Sequence, residues 1–105
     1  MPSHRFPTSL RIGPHRYTVQ VTRRLSGCRA GTINYRRRHI LIATVNGATG
    51  QPLPPEEVRD TFWHEVTHGI LDAMGHALYR DEAFVREFAT LLTGAIDTAR
   101  FDQDA

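Results

Sequence analysis

Cysteine, lysine and long apolar stretches are scarce or missing in this sequence. Cys28 is the only cysteine, which excludes a disulfide within the chain and a cysteine-rich zinc site. No apolar run approaches the ~20 residues that a membrane-spanning helix needs. The segment from Met1 to Leu10 is polar and has no apolar core, so we expect no signal peptide. The sequence therefore predicts a cytoplasmic protein without a membrane partner.

Acidic residues are absent from the first half of the chain, and lysine is absent throughout. Residues 1–55 contain nine arginines and no acid, whereas residues 56–105 contain four arginines and eleven acids. Such an asymmetry can indicate a nucleic-acid surface, for which Arg36, Arg37 and Arg38, expected at a hairpin tip, are the candidates. An arginine run alone is weak evidence. We favour partial neutralisation of the two halves across a packed interface, with nucleic acid as an alternative partner.

A length of 105 residues suits a single domain. In the first half, short segments alternate apolar and polar residues and are rich in β-branched side chains, which favours strands. These segments are residues 9–12, 16–24, 32–35 and 39–44. We expect a small antiparallel sheet of three to four strands, with Ile40–Ala43 as its most buried part.

The second half predicts a loop and two helices, which makes the fold class α+β. Pro55 is tolerated in the first turn of a helix, and Gly75 is a suitable C-terminal cap. Asp81 is a capable N-cap for the second helix. The single domain, residues 1–105, is thus expected to contain strands (about 9–44), a loop (45–54), a first helix (about 55–75) and a second helix (about 81–100).

The chemistry-bearing motif is HEVTH, His64 to His68, within the first predicted helix. Two histidines four residues apart project from one face, so their ring nitrogens can converge on one ion. Glu65 lies about 100° further round the helix and stands beside that ion. Zn²⁺ lowers the pKa of a bound water to about 7, and Glu65 can act as the general base. The motif supplies two zinc ligands and a catalytic acid–base group.

The surrounding helix pattern supports this interpretation. Apolar residues at helical spacing predict a core-facing stripe, formed by Val58, Phe62, Val66, Ile70 and Ala73 and widened by Trp63, Leu71 and Met74. The histidines fall on the polar stripe that remains, with Glu57, Thr61 and Asp72. The alternative is that the two histidines are ordinary surface residues beside an unrelated glutamate. This alternative explains less well why an otherwise apolar helix keeps one polar stripe of histidines and acids.

A catalytic zinc site takes a third protein ligand, and four residues are candidates. On the second helix the apolar side chains centre on one face, and Glu82 lies at its border. A tight helical hairpin would instead bring Glu87 to His68, so Glu82 reaches the ion only if residues 76–81 run back along the first helix. We favour Glu82 and keep Glu87, Asp81 and His76 open.

Several further residues have candidate roles. Asp72, four residues after His68, could hold the far N–H of that imidazole as a supporting carboxylate; an exposed acid is the equal alternative. Tyr35, Tyr79 and His39 are candidates to stabilise an oxyanion, although each is more often a packing residue. Cys28 is expected to be a small buried hydrophobe.

The HEVTH helix followed by Glu82-Ala-Phe-Val-Arg-Glu-Phe-Ala-Thr-Leu-Leu92 resembles minimal gluzincin-like metallopeptidases. The similar branches are the ImmA/IrrE-type peptidases and small HExxH proteins encoded by phages and prophages. The resemblance covers roughly residues 30–98 and is specific in 64–92. It implies a zincin-like fold, zinc, peptide-bond hydrolysis and Glu82 as third ligand. Arg86 departs from the Asn or Asp usual at that position, and no helix-turn-helix segment is attached.

The sequence therefore predicts a zinc-dependent metallopeptidase acting on a peptide or protein, with His64, His68 and Glu82 on the metal and Glu65 as base. Two other classes of function remain open. One is a degenerate or structural-zinc domain that binds a protein without cutting it. The other is a DNA-associated module that uses the arginine-rich hairpin.

Overall fold

The computed structural model describes residues 6–102. Residues 1–5 and 103–105 lie outside this part. The expectation of no signal peptide depends on the segment from Met1 to Leu10, and half of that segment is therefore outside the described residues. The chain has the predicted α+β fold, with four strands followed by two helices. The elements are β1 (Ser9–Ile12), β2 (His15–Thr22), β3 (Gly31–Asn34), β4 (His39–Ala43), α1 (Pro55–Ala73) and α2 (Glu82–Thr98), with short 3-10 turns at Ser26–Cys28 and Ala77–Arg80.

The sheet has the order β1-β2-β4-β3 and is mixed, so the prediction of a purely antiparallel sheet was wrong. Both outer pairs are antiparallel, but β2 and β4 run parallel. The reason lies in the connection over residues 23–30, which crosses the end of β4 and starts β3 on its far side. Because β4 then returns between β2 and β3, it pairs parallel with β2. Alternating polarity, from which the strands were predicted, carries no information about strand direction.

One face of the sheet packs against α1 and forms the core. Ile40 and Ile42 of β4 have no exposed surface, which confirms that this strand is the most buried. From α1, Val58, Phe62 and Val66 complete the core against them. The central position of β4, between two neighbours and beneath a helix, accounts for its apolar sequence.

Helix α1 begins at the predicted Pro55 and ends at Ala73, where Gly75 takes a positive φ of 66° and caps it. Its buried stripe continues from Val66 to Gly69, and Ile70 is 42% exposed, contrary to prediction. Gly69 explains the shift, because a Cβ there would come within 2.9 Å of the Ile12 side chain. The helix touches the sheet at a glycine, which a hydrophobicity pattern does not identify.

Helix α2 begins where expected, since the Asp81 side chain accepts a hydrogen bond from the Phe84 N–H at 3.0 Å. It buries only a narrow stripe against α1, formed by Val85, Ala89 and Thr93. The rest of its predicted apolar face is largely exposed, including Phe84, Phe88, Leu91 and Ile96. Cys28 is also exposed, which corrects its expected burial. Within the described residues, no helix is both long and apolar enough to cross a membrane.

Candidate metal centre

The two histidines of the HEVTH motif lie one turn apart on α1, which is helical across the whole motif. Their ring centroids are 4.9 Å apart. The side chain of His64 is 19% exposed and that of His68 only 6%. Burial lowers the pKa of His64, so its imidazole is held in the neutral form that binds a cation. The two rings therefore lie next to each other on one face of the helix, as the spacing predicts.

Glu82, at the start of α2, reaches both imidazoles. Its Oε1 lies 3.0 Å from Nε2 of His64, and its Oε2 lies 3.0 Å from Nε2 of His68. The 3-10 turn Ala77–Arg80 carries the chain back along α1, as the choice of Glu82 required. The three side chains offer donor atoms within 4.8 Å of one another.

The other three candidates for a third ligand lie elsewhere. Asp81 caps α2 through Phe84, and His76 accepts a hydrogen bond from the Leu78 N–H through its Nδ1. Glu87 is exposed and does not belong to the cluster of possible ligands found within residues 6–102.

The hydrogen bonding of His68 indicates that this cluster suits a cation. Nδ1 of His68 lies 2.7 Å from the carbonyl oxygen of Tyr79. Because a carbonyl only accepts, Nδ1 carries the proton, and Nε2 of the neutral ring is left with a lone pair. That lone pair faces a carboxylate oxygen of Glu82 at 3.0 Å. Two acceptors at this distance repel each other unless a proton or a metal ion lies between them.

The distances and the donor set also fit zinc. Tetrahedral coordination with Zn–N and Zn–O bonds of about 2.1 Å separates neighbouring ligand atoms by roughly 3.4 Å. The two N···O distances of 3.0 Å are close to this value. Two histidines and one glutamate form an established catalytic zinc set that leaves a position for water. The residues present therefore fit the predicted ion.

The backbone carbonyl of Tyr79 takes the supporting role that we expected of Asp72. The Nδ1 of His68 contacts Tyr79 and its Nε2 contacts Glu82, so neither ring nitrogen is paired with Asp72. This prediction was wrong because a sequence pattern identifies side chains four residues apart, whereas the partner here is a main-chain atom of the following turn. Such a bond fixes the ring orientation and the tautomer as well as a carboxylate would.

Glu65 is 8% exposed and lies beside the cluster. Burial raises its pKa to about 7, with Glu82 adding to the increase and His68 opposing it. A carboxyl group with a pKa near neutrality suits a general base that must also return a proton. A Cβ added to Gly31 would lie 3.3 Å from Oε2 of Glu65, so β3 lies close to this carboxylate.

An open cleft of about 790 Å³ contains the cluster. One wall is formed by residues 29–33 and Tyr35, along the edge of β3 that pairs with no other strand among residues 6–102. The opposite wall comes from α1, the Ala77–Arg80 turn and the start of α2. The sequence did not identify Gly31, Arg29 or Arg80 as residues of this cleft, because none of them belongs to a recognisable spacing.

The three candidates for oxyanion stabilisation separate into two groups. Tyr35 and Tyr79 both line the cleft, with ring centroids 5.9 Å apart. Burial, followed by nearby Asp72, raises the pKa of Tyr35 to about 12, so its phenol remains a hydrogen-bond donor. His39 lies at the start of β4 and does not line the cleft, which removes it from the set.

Arg36, Arg37 and Arg38 occupy the turn between β3 and β4, as predicted. They are exposed, and the Asn34 side chain accepts hydrogen bonds from the N–H groups of Arg36 and Arg37. No described arginine of the basic half forms an ion pair with a described acid. The one arginine–carboxylate pair among residues 6–102 joins Arg59 and Asp97, which both belong to the acidic half. Between residues 6 and 102, no ion pair therefore joins an arginine of the basic half to an acid of the acidic half.

No protein-family model, curated protein or solved structure matches this chain. The resemblance to the ImmA/IrrE-type and phage-encoded proteins, and the zincin-like description of the fold, remain predictions. Any function must accordingly be inferred from the geometry of the cleft.

Proposed function

We propose that this chain is a zinc-dependent metallopeptidase. The proposal depends on one observation: the Nε2 atoms of His64 and His68 and the carboxylate of Glu82 converge in an open cleft, with a buried carboxyl group beside them. When bound, zinc would lower the pKa of a coordinated water and polarise a substrate carbonyl. We infer a cytoplasmic location from the single, exposed cysteine.

The unpaired edge of β3 is suited to holding a peptide. Its free N–H and C=O groups can pair with an extended chain, as in recognition by strand addition. A peptide docked there lies in the cleft beside Glu65. The strand thus orients the scissile bond, and no deep pocket is needed for binding.

Glu65 and Tyr35 perform the remaining steps. A carboxylate oxygen of Glu65 takes a proton from the attacking water and passes it to the leaving amine nitrogen. The Tyr35 hydroxyl, which stays protonated, donates a hydrogen bond to the developing oxyanion. No covalent enzyme intermediate is involved.

Metal analysis combined with peptide hydrolysis tests this proposal. The wild-type protein should bind one zinc ion and cleave a peptide library, and His64→Ala should lose both properties. Glu65→Gln should retain zinc and lose turnover, because it keeps the shape of the side chain but cannot accept a proton. Full zinc occupancy in His64→Ala, or undiminished hydrolysis by Glu65→Gln, would refute the assigned roles.

The number of protein ligands distinguishes a catalytic zinc site from the structural-zinc alternative. Structural sites are closed by four protein ligands, whereas the cluster within residues 6–102 has three. This favours a catalytic site. A protein with zinc bound and no turnover toward any peptide would favour the degenerate alternative.

A nucleic-acid role is the second candidate, and the exposed arginines of the β3–β4 turn favour it. Binding to DNA through these side chains should weaken steeply as salt is raised. Replacing Arg36, Arg37 and Arg38 with glutamine should reduce both the affinity and its salt dependence. An interaction that is absent or independent of salt would eliminate this role.

A further inference from the structure

Three arginines from three separate elements line the cleft. Arg29 precedes β3, Arg80 belongs to the 3-10 turn, and Arg86 lies one turn after Glu82 on α2. All three are exposed, and none forms an ion pair with an acid between residues 6 and 102. The Arg80 guanidinium lies over the Tyr79 ring, 5.1 Å from its centroid. Among the described residues, the cleft therefore presents cationic groups that no acid meets at ion-pair distance.

The carboxylates of the same cleft are already engaged. Asp60 lies within hydrogen-bonding distance of the hydroxyl groups of Thr90 and Thr93. Glu82 contacts both imidazoles, and Glu65 is buried next to them. A divalent cation in the cluster would offset the charges of Glu65 and Glu82. The arginines then outnumber the one remaining carboxylate.

The arginines flank the strand that would receive a peptide. Arg29 lies just before β3, while Arg80 adjoins Tyr79, whose ring contacts Tyr35 immediately after β3. At about 3.3 Å per residue, the strand with its flanks, from Arg29 to Tyr35, extends over roughly 20 Å. A peptide paired along this edge would meet a cation near each end, on either side of the metal cluster.

We propose that the cleft selects peptides with acidic side chains on both sides of the bond to be cut. This inference rests on the proposed peptidase function and names its substrate class. A strand edge with alternating N–H and C=O groups matches a peptide backbone, whereas a sugar–phosphate backbone cannot form that ladder. Exposed charge pairs are individually weak, so we expect about a tenfold preference from the three arginines together at low salt.

Peptide binding to the Glu65→Gln protein measures this preference without turnover. The probes are two fluorescein-labelled peptides of equal length, one with Glu and one with Gln on both sides of a central apolar pair. Anisotropy is recorded with zinc added and after zinc removal, at low and at physiological salt. The acidic peptide should bind about tenfold more tightly at low salt, with a smaller margin at physiological salt.

Single substitutions assign the preference to the cleft. Arg29→Gln and Arg80→Gln should each reduce the preference about twofold, which is an equal share of the tenfold total among three arginines. Arg11→Gln is the matched control, because it removes the same charge from β1 at the opposite edge of the sheet and should change nothing. Circular dichroism checks that each variant remains folded.

Several results would overturn the inference: equal binding of the two peptides, no binding of either, an equal effect of Arg11→Gln, or tighter binding of a single-stranded oligonucleotide. Failure of the peptidase proposal is distinguishable from these. A protein that prefers the acidic peptide but cleaves nothing supports the binding preference and refutes the enzyme. One that cleaves both peptides equally well refutes the preference alone.

Discussion

Replacing Gly31 with alanine tests how closely β3 approaches helix α1. A Cβ at this position would lie 2.6 Å from Cγ2 of Thr61, 3.2 Å from the carbonyl oxygen of Leu41 and 3.3 Å from Oε2 of Glu65. The Thr61 methyl group is held by a hydrogen bond from its hydroxyl to the Glu57 carbonyl. The Leu41 oxygen belongs to the backbone of a central strand. Neither neighbour can move away freely, so β3 must shift outward.

Overpacking of this kind costs about 1–3 kcal/mol of unfolding free energy. For a domain of this size each kcal/mol corresponds to roughly 4–8 °C in Tm. The shift also separates the proposed peptide-binding edge from Glu65, and a misplacement of ~1 Å can reduce kcat/KM about a hundredfold. We therefore expect Gly31→Ala to be moderately less stable and much less active.

Urea unfolding of paired variants separates this contact from a general effect of added methyl groups. Gly94→Ala is the control: no atom lies within 4 Å of its added Cβ, and alanine in a helix should stabilise by about 0.5–1 kcal/mol. Thr61→Ser removes the closest methyl group, so Gly31→Ala/Thr61→Ser should recover part of the lost stability. A Gly31→Ala protein as stable as wild type would refute the close approach of β3 and α1.

Three further predictions concern the metal cluster and its support. Glu82→Gln should weaken zinc binding, measured by competition with a chelator, by more than the ~100-fold that loss of a residue supporting a metal ligand can cost. Glu87→Gln is the control and should leave the zinc affinity unchanged. Equal effects of the two substitutions would exclude Glu82 as the ligand. Zinc at about 100 times its Kd should stabilise the metal-free protein by about 2.7 kcal/mol, or roughly 10–20 °C, and an unchanged melting curve would contradict a specific site. Asp81→Ala removes the cap of α2 and should cost about 1 kcal/mol in urea unfolding, whereas Asp81→Asn should cost less.

Local sequence signals predicted the elements well and their pairing poorly. Pro55, Gly75 and Asp81 fix helix ends through backbone geometry and hydrogen bonds that depend on neighbouring residues alone. The parallel pairing of β2 with β4 depends on the path of residues 23–30, which no periodicity encodes. The narrow buried stripe of α2 likewise depends on which face of α1 is not already packed against the sheet.

The candidate site was predictable where it depended on helical spacing. His64, Glu65 and His68 follow from the pitch of α1, and Glu82 follows once residues 76–81 run back along it. The Tyr79 carbonyl was not predictable, because any residue type supplies the same acceptor. Gly31 carries no chemistry of its own and is identified only by the space around it.

The charge asymmetry of the sequence corresponds to the two sides of the cleft. The basic half of the chain forms the sheet and the acidic half forms the helices, so the cleft lies where the two meet. The helical half provides the candidate metal ligands His64, His68 and Glu82 and the candidate base Glu65. The sheet half adds Arg29 at the cleft and has no acid with which to neutralise it. Under the two proposals above, the cation site and the surface for acidic peptides share this cleft, because Arg29 of the sheet half and Arg80 and Arg86 of the helical half line it together with the carboxylates.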